Sequence, residues 1–124
     1  MSTAINDLAT AALVSAAIYP DTKSSSPTSS ALDMITADGP CFAIQQVGEF
    51  TADSLGGVIE ESATGTGSWS AIDGAEFTEV TGANNLQVIT FTRSARYLRY
   101  VGTLAGDTPS VEMAVLIGEQ KKTL

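Results

Sequence analysis

Histidine is absent from the 124 residues. Its absence removes the commonest general base, the Ser-His-Asp and Cys-His nucleophile arrangements and the usual zinc ligand. A chain with no catalytic centre, no cofactor and no metal is the expectation. Cysteine occurs once, at Cys41, so no internal disulfide can form and a disulfide-stapled secreted scaffold is excluded. Basic residues number 6 against 14 acids, for a net charge of -8. That balance lacks the clustered Lys and Arg that a phosphate backbone demands, so nucleic acid is not expected as a partner. No run approaches the ~20 apolar residues of a membrane helix, and the start lacks the basic and apolar regions of a secretory signal. The expected product is soluble, free of membrane partners and made in the cytoplasm.

The charge that is present is unevenly placed. Five of the six basic residues, Arg93, Arg96, Arg99, Lys121 and Lys122, fall in the last quarter, while residues 1–92 carry Lys23 alone against 11 acids. An acidic solvated surface accounts for this, and so does charge matching between neighbouring subunits. The length fits one domain, able to bury a core without metal or disulfides.

Along the chain, Ile5, Leu8, Ala9, Ala12 and Leu13 recur at helical spacing ahead of the β-prone Val14 to Tyr19. Residues 1–13 are therefore expected to be a helical turn or an extended arm, with the domain proper over 14–124. Pro20 to Ser30 reads PDTKSSSPTSS and is expected to be a loop or mobile flap. From there, β-prone runs alternate with Gly, Asn, Asp and Pro clusters at the interval typical of sandwiches and barrels. The runs are Ala31–Ile35, Cys41–Val47, Leu55–Glu61, Trp69–Ile72, Leu86–Arg93, Tyr97–Leu104 and Val111–Ile117.

In the last run Val111, Met113, Val115 and Ile117 share one face and Glu112 takes the other. Ala114 and Leu116 on that second face, like Leu98 and Tyr100 opposite Tyr97 and Val101, imply that the final two strands are covered on both sides. They are then central in their sheets, or packed against another subunit. Asp73-Gly74, Gly82 to Asn85 and Gly106 to Pro109 supply turn chemistry. Short turns without helical crossovers imply antiparallel pairing. The fold class is all-β, an antiparallel β-sandwich with a short N-terminal arm, and a jelly-roll path is among the topologies open to it.

The remaining candidates for chemistry are weak. Cys41 sits in the apolar Cys-Phe-Ala-Ile with no basic neighbour, which reads as core. Glu60 and Glu61 with Glu76 and Glu79 lack the spacing of a carboxylate pair, and with Asp73 they lack that of a calcium loop. Gly56-Gly57 and Gly65-Thr66-Gly67 match no phosphate-binding pattern and read as turns. Trp69, Phe77, Phe91, Tyr97 and Tyr100 suit either a core or a sugar-stacking platform, so a carbohydrate-binding module is the alternative from another class. Arg93, Arg96 and Arg99 could grip a partner's carboxylates, or balance acids of their own fold. Arg99, if inward, requires an acid.

The segments Trp69 to Phe77, Arg96 to Thr103 and Pro109 to Gly118, followed by Lys121 and Lys122, carry a resemblance. They are similar to the W-x-x-I-x-G-A-x-F, R-Y-[VL]-R-x-V-G-T and P-S-[apolar]-x-[apolar]-x-V-x-[apolar]-G runs of a family of small tailed-bacteriophage structural proteins. The likeness covers about half of the chain, and the Ser-rich stretch departs from it. It implies a virion protein, foremost a decoration (cement) protein on the outer surface of an HK97-type capsid. Its partners would be the major capsid protein and its own copies, commonly as homotrimers at local threefold positions. A head-completion or tail component is the alternative within virions. On this reading Ile5, Leu8 and Leu13 belong to an arm that orders on the coat or on a neighbouring copy.

Overall fold

The computed structural model describes residues 12–121. Eight strands follow in chain order: β1 (Ala12–Lys23), β2 (Leu32–Asp33), β3 (Ala37–Thr51), β4 (Ser54–Ser62), β5 (Ser70–Glu76), β6 (Asn85–Phe91), β7 (Tyr97–Ala105) and β8 (Ser110–Lys121). They form two four-stranded antiparallel sheets, ordered β1-β8-β3-β6 and β2-β7-β4-β5. The pairs β4·β5, β3·β6, β2·β7 and β1·β8 are those of one long hairpin about the β4–β5 connection, dealt alternately into the two sheets. The β8·β3 and β7·β4 ladders then close each sheet. This is the eight-stranded jelly roll, the path the turn pattern left open.

Alternation builds the interior. Val111, Met113, Val115 and Ile117 of β8 point inward and are buried, as are Ala43 and Val47 of β3. Leu55 and Ile59 of β4 and Leu98 and Tyr100 of β7 face them from the other sheet, each fully buried. A buried side chain of this size contributes about 1.5–3 kcal/mol. β8 and β7 are interior strands of their sheets, one of the two placements the sequence left open for them.

Among the described residues, one side-chain hydrogen bond crosses the middle of the core. Tyr100 Oη donates to Gln45 Oε1 at 2.6 Å, joining β7 to β3 through the middle of the sandwich. A side chain at Gly57 would strike both partners, so the absence of a Cβ there makes room for the bridge.

Several expectations need correction. The segment from Pro20 to Ser30 is no free flap. β1 continues through Pro20 to Lys23, which an edge strand permits because a missing N–H can face away from the ladder. Pro27 and Ser29 are buried. Gly102 N donates to Pro27 O at 2.7 Å, and Ser29 N donates to Tyr100 O at 2.9 Å. The hydroxyls of Ser29 and Ser26 accept from the backbone N–H of Tyr100 and Leu104, both at 2.9 Å. Serine hydroxyls thus stand in for strand carbonyls along β7.

The arm boundary also shifts. Leu13 pairs with Glu119 in the β1·β8 ladder and packs on the core, so it belongs to the sheet rather than to an arm. Ile5 and Leu8 lie outside the described residues. Asp73-Gly74 falls inside β5, where Gly74 takes φ +80° near a register shift in the β4·β5 ladder, so the pair makes a bulge instead of a corner. The run Ala31–Ile35 contracts to the two residues of β2.

One end of the sandwich is closed by a buried ion pair. Arg93 Nε donates to Glu119 Oε1 at 2.7 Å, and Glu119 is only 1% exposed. The same guanidinium donates to the carbonyls of Ala95 (2.8 Å), Met34 (3.0 Å) and Ala37 (2.8 Å). Arg93 thereby ties the β2–β3 and β6–β7 connections to the end of β8. Cys41 lies beside this cluster, and burial, reinforced by the Glu119 carboxylate, pushes its thiol up to about 12.

Two outcomes follow from this end of the molecule. Arg93→Ala leaves the Glu119 carboxylate buried without its cation and should lower the unfolding free energy in urea by about 3–5 kcal/mol, whereas Arg93→Met combined with Glu119→Leu should cost less. Cys41 should resist iodoacetamide at pH 8 in the native protein and react on unfolding. Because its folded pKa is raised, the neutral thiol's stabilising contribution is complete below the ordinary cysteine value and is lost as pH climbs towards about 12.

Candidate functional site

The two outer faces of the sandwich differ in kind. On the β2-β7-β4-β5 sheet, Arg99 of β7 lies directly across from Glu60 of β4, and its Nε donates to Glu60 Oε1 at 2.8 Å. The guanidinium sits over the Trp69 ring, 4.4 Å from its centroid. Arg96 forks onto Asp33, with Nε to Oδ1 at 2.8 Å and Nη2 to Oδ2 at 2.7 Å, and lies 5.0 Å from the Tyr97 ring centroid. That fork holds the Asp33 carboxyl below its ordinary value. The contribution is present above the ordinary carboxylate pKa and is lost as pH falls through the lowered one. Exposure to solvent and salt keeps it small.

The three arginines expected to reach a partner's carboxylates therefore each hold a carboxylate of their own chain. Glu60 and Glu61 diverge, as strand neighbours must: Glu61 accepts from the N–H of Ser94 and Ala95 at 2.7 and 3.1 Å and caps that turn. Of the aromatics expected as a stacking platform, Tyr100, Phe77 and Phe91 are in the core. Trp69 and Tyr97 are half-buried, each with a guanidinium over its ring. Glu76 and Glu79 border a shallow cleft of about 360 Å³ with Gly56, Val58 and Thr103.

The outer face of the β1-β8-β3-β6 sheet is apolar instead. Ladder register places three rows across it. Val14, Gly118, Phe42 and Thr90 form the first, and Ala16, Leu116, Ile44 and Val88 the second. Ala114, Gln46 and Leu86 form the third. None of these residues carries a charge in a chain of net charge -8, and the outward face of β8 meets its first acid at Glu112. Val14, Leu86, Val88 and Leu116 are exposed.

Gly118 is essential to the surface. A methyl group there would collide with the Phe42 ring, so the glycine lets that ring lie flat across β8 and pave the first row. With strands ~4.8 Å apart and rows ~7 Å apart, the rows cover roughly 400 Å². That is within the size of the largest apolar patch on an ordinary monomer, which is often a functional one.

In the sequence this face shows at β8, where Ala114 and Leu116 oppose the core residues. Phe42 and Ile44 flank the inward Ala43 in an unbroken apolar run, a signal that both faces of β3 are dry. Leu86 and Val88 gave no such signal, because which face of β6 is outward depends on its pairing with β3.

No known family model and no curated protein matches the chain. Solved structures of similar fold include the following three. A xylan-binding domain of carbohydrate-binding module family 22 has a TM-score of 0.46 at 18% identity, over 91% of this chain and 75% of that one. The C-terminal family 22 carbohydrate-binding module of Clostridium thermocellum Xyn10B has a TM-score of 0.46 at 19% identity, over 91% and 74%. A chain of infectious bursal disease virus, Gx strain, has a TM-score of 0.49 at 13% identity, over 91% of this chain and 33% of its own length. The chain spans about a third of that viral chain. These are likenesses of sandwich shape, and the ligands of those proteins stay with them.

Gly118→Ala should lower stability by about 1–3 kcal/mol, since the added methyl forces the Phe42 ring from its place. Pairing it with Phe42→Ala should recover part of the loss in a denaturant titration.

Proposed function

We propose that this chain is a virion structural protein, a decoration protein that docks on the outer surface of an HK97-type phage head and ties neighbouring coat subunits together. The observation that carries the reading is the uncharged apolar face of the β1-β8-β3-β6 sheet on an otherwise acidic molecule. A net charge of -8 keeps such a chain away from packaged DNA and soluble in bulk. Its one broad uncharged face is where a coat subunit can seat without burying unpaired charge. The resemblance of Trp69 to Phe77, Arg96 to Thr103 and Pro109 to Gly118 to small phage structural proteins supports a coat subunit as that partner.

A face of roughly 400 Å² is about half of what one side of a standard stable interface covers. Single contacts of that size are weak, but a lattice presents many of them, and effective concentration lets them add. The rigid sandwich suits this work, because little conformational entropy is lost when a preformed sheet face docks.

Purified heads stripped of the protein provide the test. The wild-type chain should co-sediment with them in hundreds of copies per particle by densitometry. Leu116→Lys or Ile44→Lys should lower occupancy at least tenfold, equivalent to about 1.4 kcal/mol. Thr103→Lys, on the opposite face, should leave it unchanged. Wild-type levels of binding by both lysine variants would remove the reading, and a handful of copies per particle would favour a head-completion or tail component.

A further inference from the structure

A sheet edge exposes a row of unpaired N–H and C=O groups, and proteins ordinarily guard such edges with charge, proline, bulges or brevity. Three of the four edges here are guarded. β1 is interrupted by two register shifts and runs out through Pro20, Asp21 and Lys23. β2 is two residues long. β5 carries Asp73, Glu76 and the positive-φ Gly74.

β6 is the exception. Its seven residues, NLQVITF, include no charge, no proline and no glycine. It pairs with β3 on one side, and among the described residues its other side has no backbone partner. Leu86 and Val88 on this strand are 66% and 61% exposed. An uncharged, β-prone segment of this length is what strand-to-strand association selects.

We infer that β6 is a self-association edge, and that its occupant is β6 of a second copy, paired antiparallel about a two-fold axis through Val88. The strand is its own complement in that register. Val88 meets Val88, Leu86 meets Thr90, and the odd-numbered residues stay on the inner side, so no side chain changes face. Two chains of charge -8 repel at a distance, yet the contacting strands contain no charge to oppose each other. Gln87, the central inner residue but one, is already occupied: its amide exchanges hydrogen bonds with Thr78 N and O at 2.8 and 2.9 Å, which fixes the strand's inner side and leaves the backbone edge as the available surface.

The pair would also enlarge the docking face. Joining two sheets through β6 sets their apolar outer faces side by side in one eight-stranded surface of roughly 800 Å², the size of one side of a standard interface. Self-pairing does not depend on the capsid reading and is measured without capsids, so either can fail alone.

Sedimentation equilibrium of the purified full chain tests the inference. The wild type should populate a dimer. Val88→Lys and Val88→Glu, each placing like charges opposite one another on the axis, should weaken the dimer at least tenfold. An equimolar mixture of the two should regain association to within about threefold of wild type, which a variant that merely failed to fold would not do. Tyr19→Lys, an equally exposed change on the guarded β1 edge, should dimerise as the wild type does. A monomeric wild type overturns the inference. So does a dimer or trimer insensitive to Val88→Lys, or a mixture that stays monomeric; loss of association on deleting residues 2–11 with Val88→Lys inert would assign the contact to the N-terminal segment instead.

Discussion

The β3·β8 ladder is the constraint on which the rest of this molecule depends. It runs from Ala37↔Lys121 to Thr51↔Ser110 and joins strands far apart in the chain. Without it the rolled hairpin has no closed first sheet. One ladder also decides both faces of that sheet. Ala43 opposite Ile117 and Val47 opposite Met113 point into the core, while Ile44 opposite Leu116 and Phe42 opposite Gly118 point out. A slip of one residue would exchange these sets and put the core in water, so the register is held by the hydrophobic gain of burying the inner set. The outer apolar face is then fixed by the same pairing that fixes the core.

Charge is arranged around that ladder so that the fold consumes it. Arg93 and Glu119 close the sandwich end, Arg99 and Glu60 pair across the second sheet, and Arg96 and Asp33 pair at its edge. Only the first pair is buried deeply enough for its loss to be severe. The exposed pairs contribute a few tenths to about 1 kcal/mol each. Arg93, Arg96 and Arg99 are thereby committed to carboxylates of their own chain.

Much of the architecture was legible because period-2 patterning is local. Val111 to Ile117 announced an inward face, and the Gly82–Asn85 and Gly106–Pro109 clusters their turns; Asn84 and Gly106 indeed take positive φ. The second face of Tyr97 to Leu104, expected to be covered, instead carries the Arg99–Glu60 pair and the exposed Thr103. Local chemistry misled where a longer-range partner overrode it. Proline and serines from Pro20 to Ser30 look like linker, yet β7 recruits them as an irregular edge through Pro27 O and the serine hydroxyls. Asp-Gly looks like a hairpin turn, yet at 73–74 the bulge it favours sits inside a strand. Leu13 looks like part of an arm until β8 offers it Glu119 as a ladder neighbour.

By itself, the sequence determined the class of fold, the acidic and histidine-free chemistry, and which residues of β8 line the core, because alternation and composition need no knowledge of the partner strand. Only the tertiary structure decided the jelly-roll order, the internal partners of the three arginines, and the outward alignment of Val14, Phe42, Ile44, Val88 and Leu116 into one surface. Those properties belong to pairings between segments as far apart in the chain as Val14 and Gly118. Such pairings are chosen by the joint burial of many side chains, which no single stretch of the chain encodes.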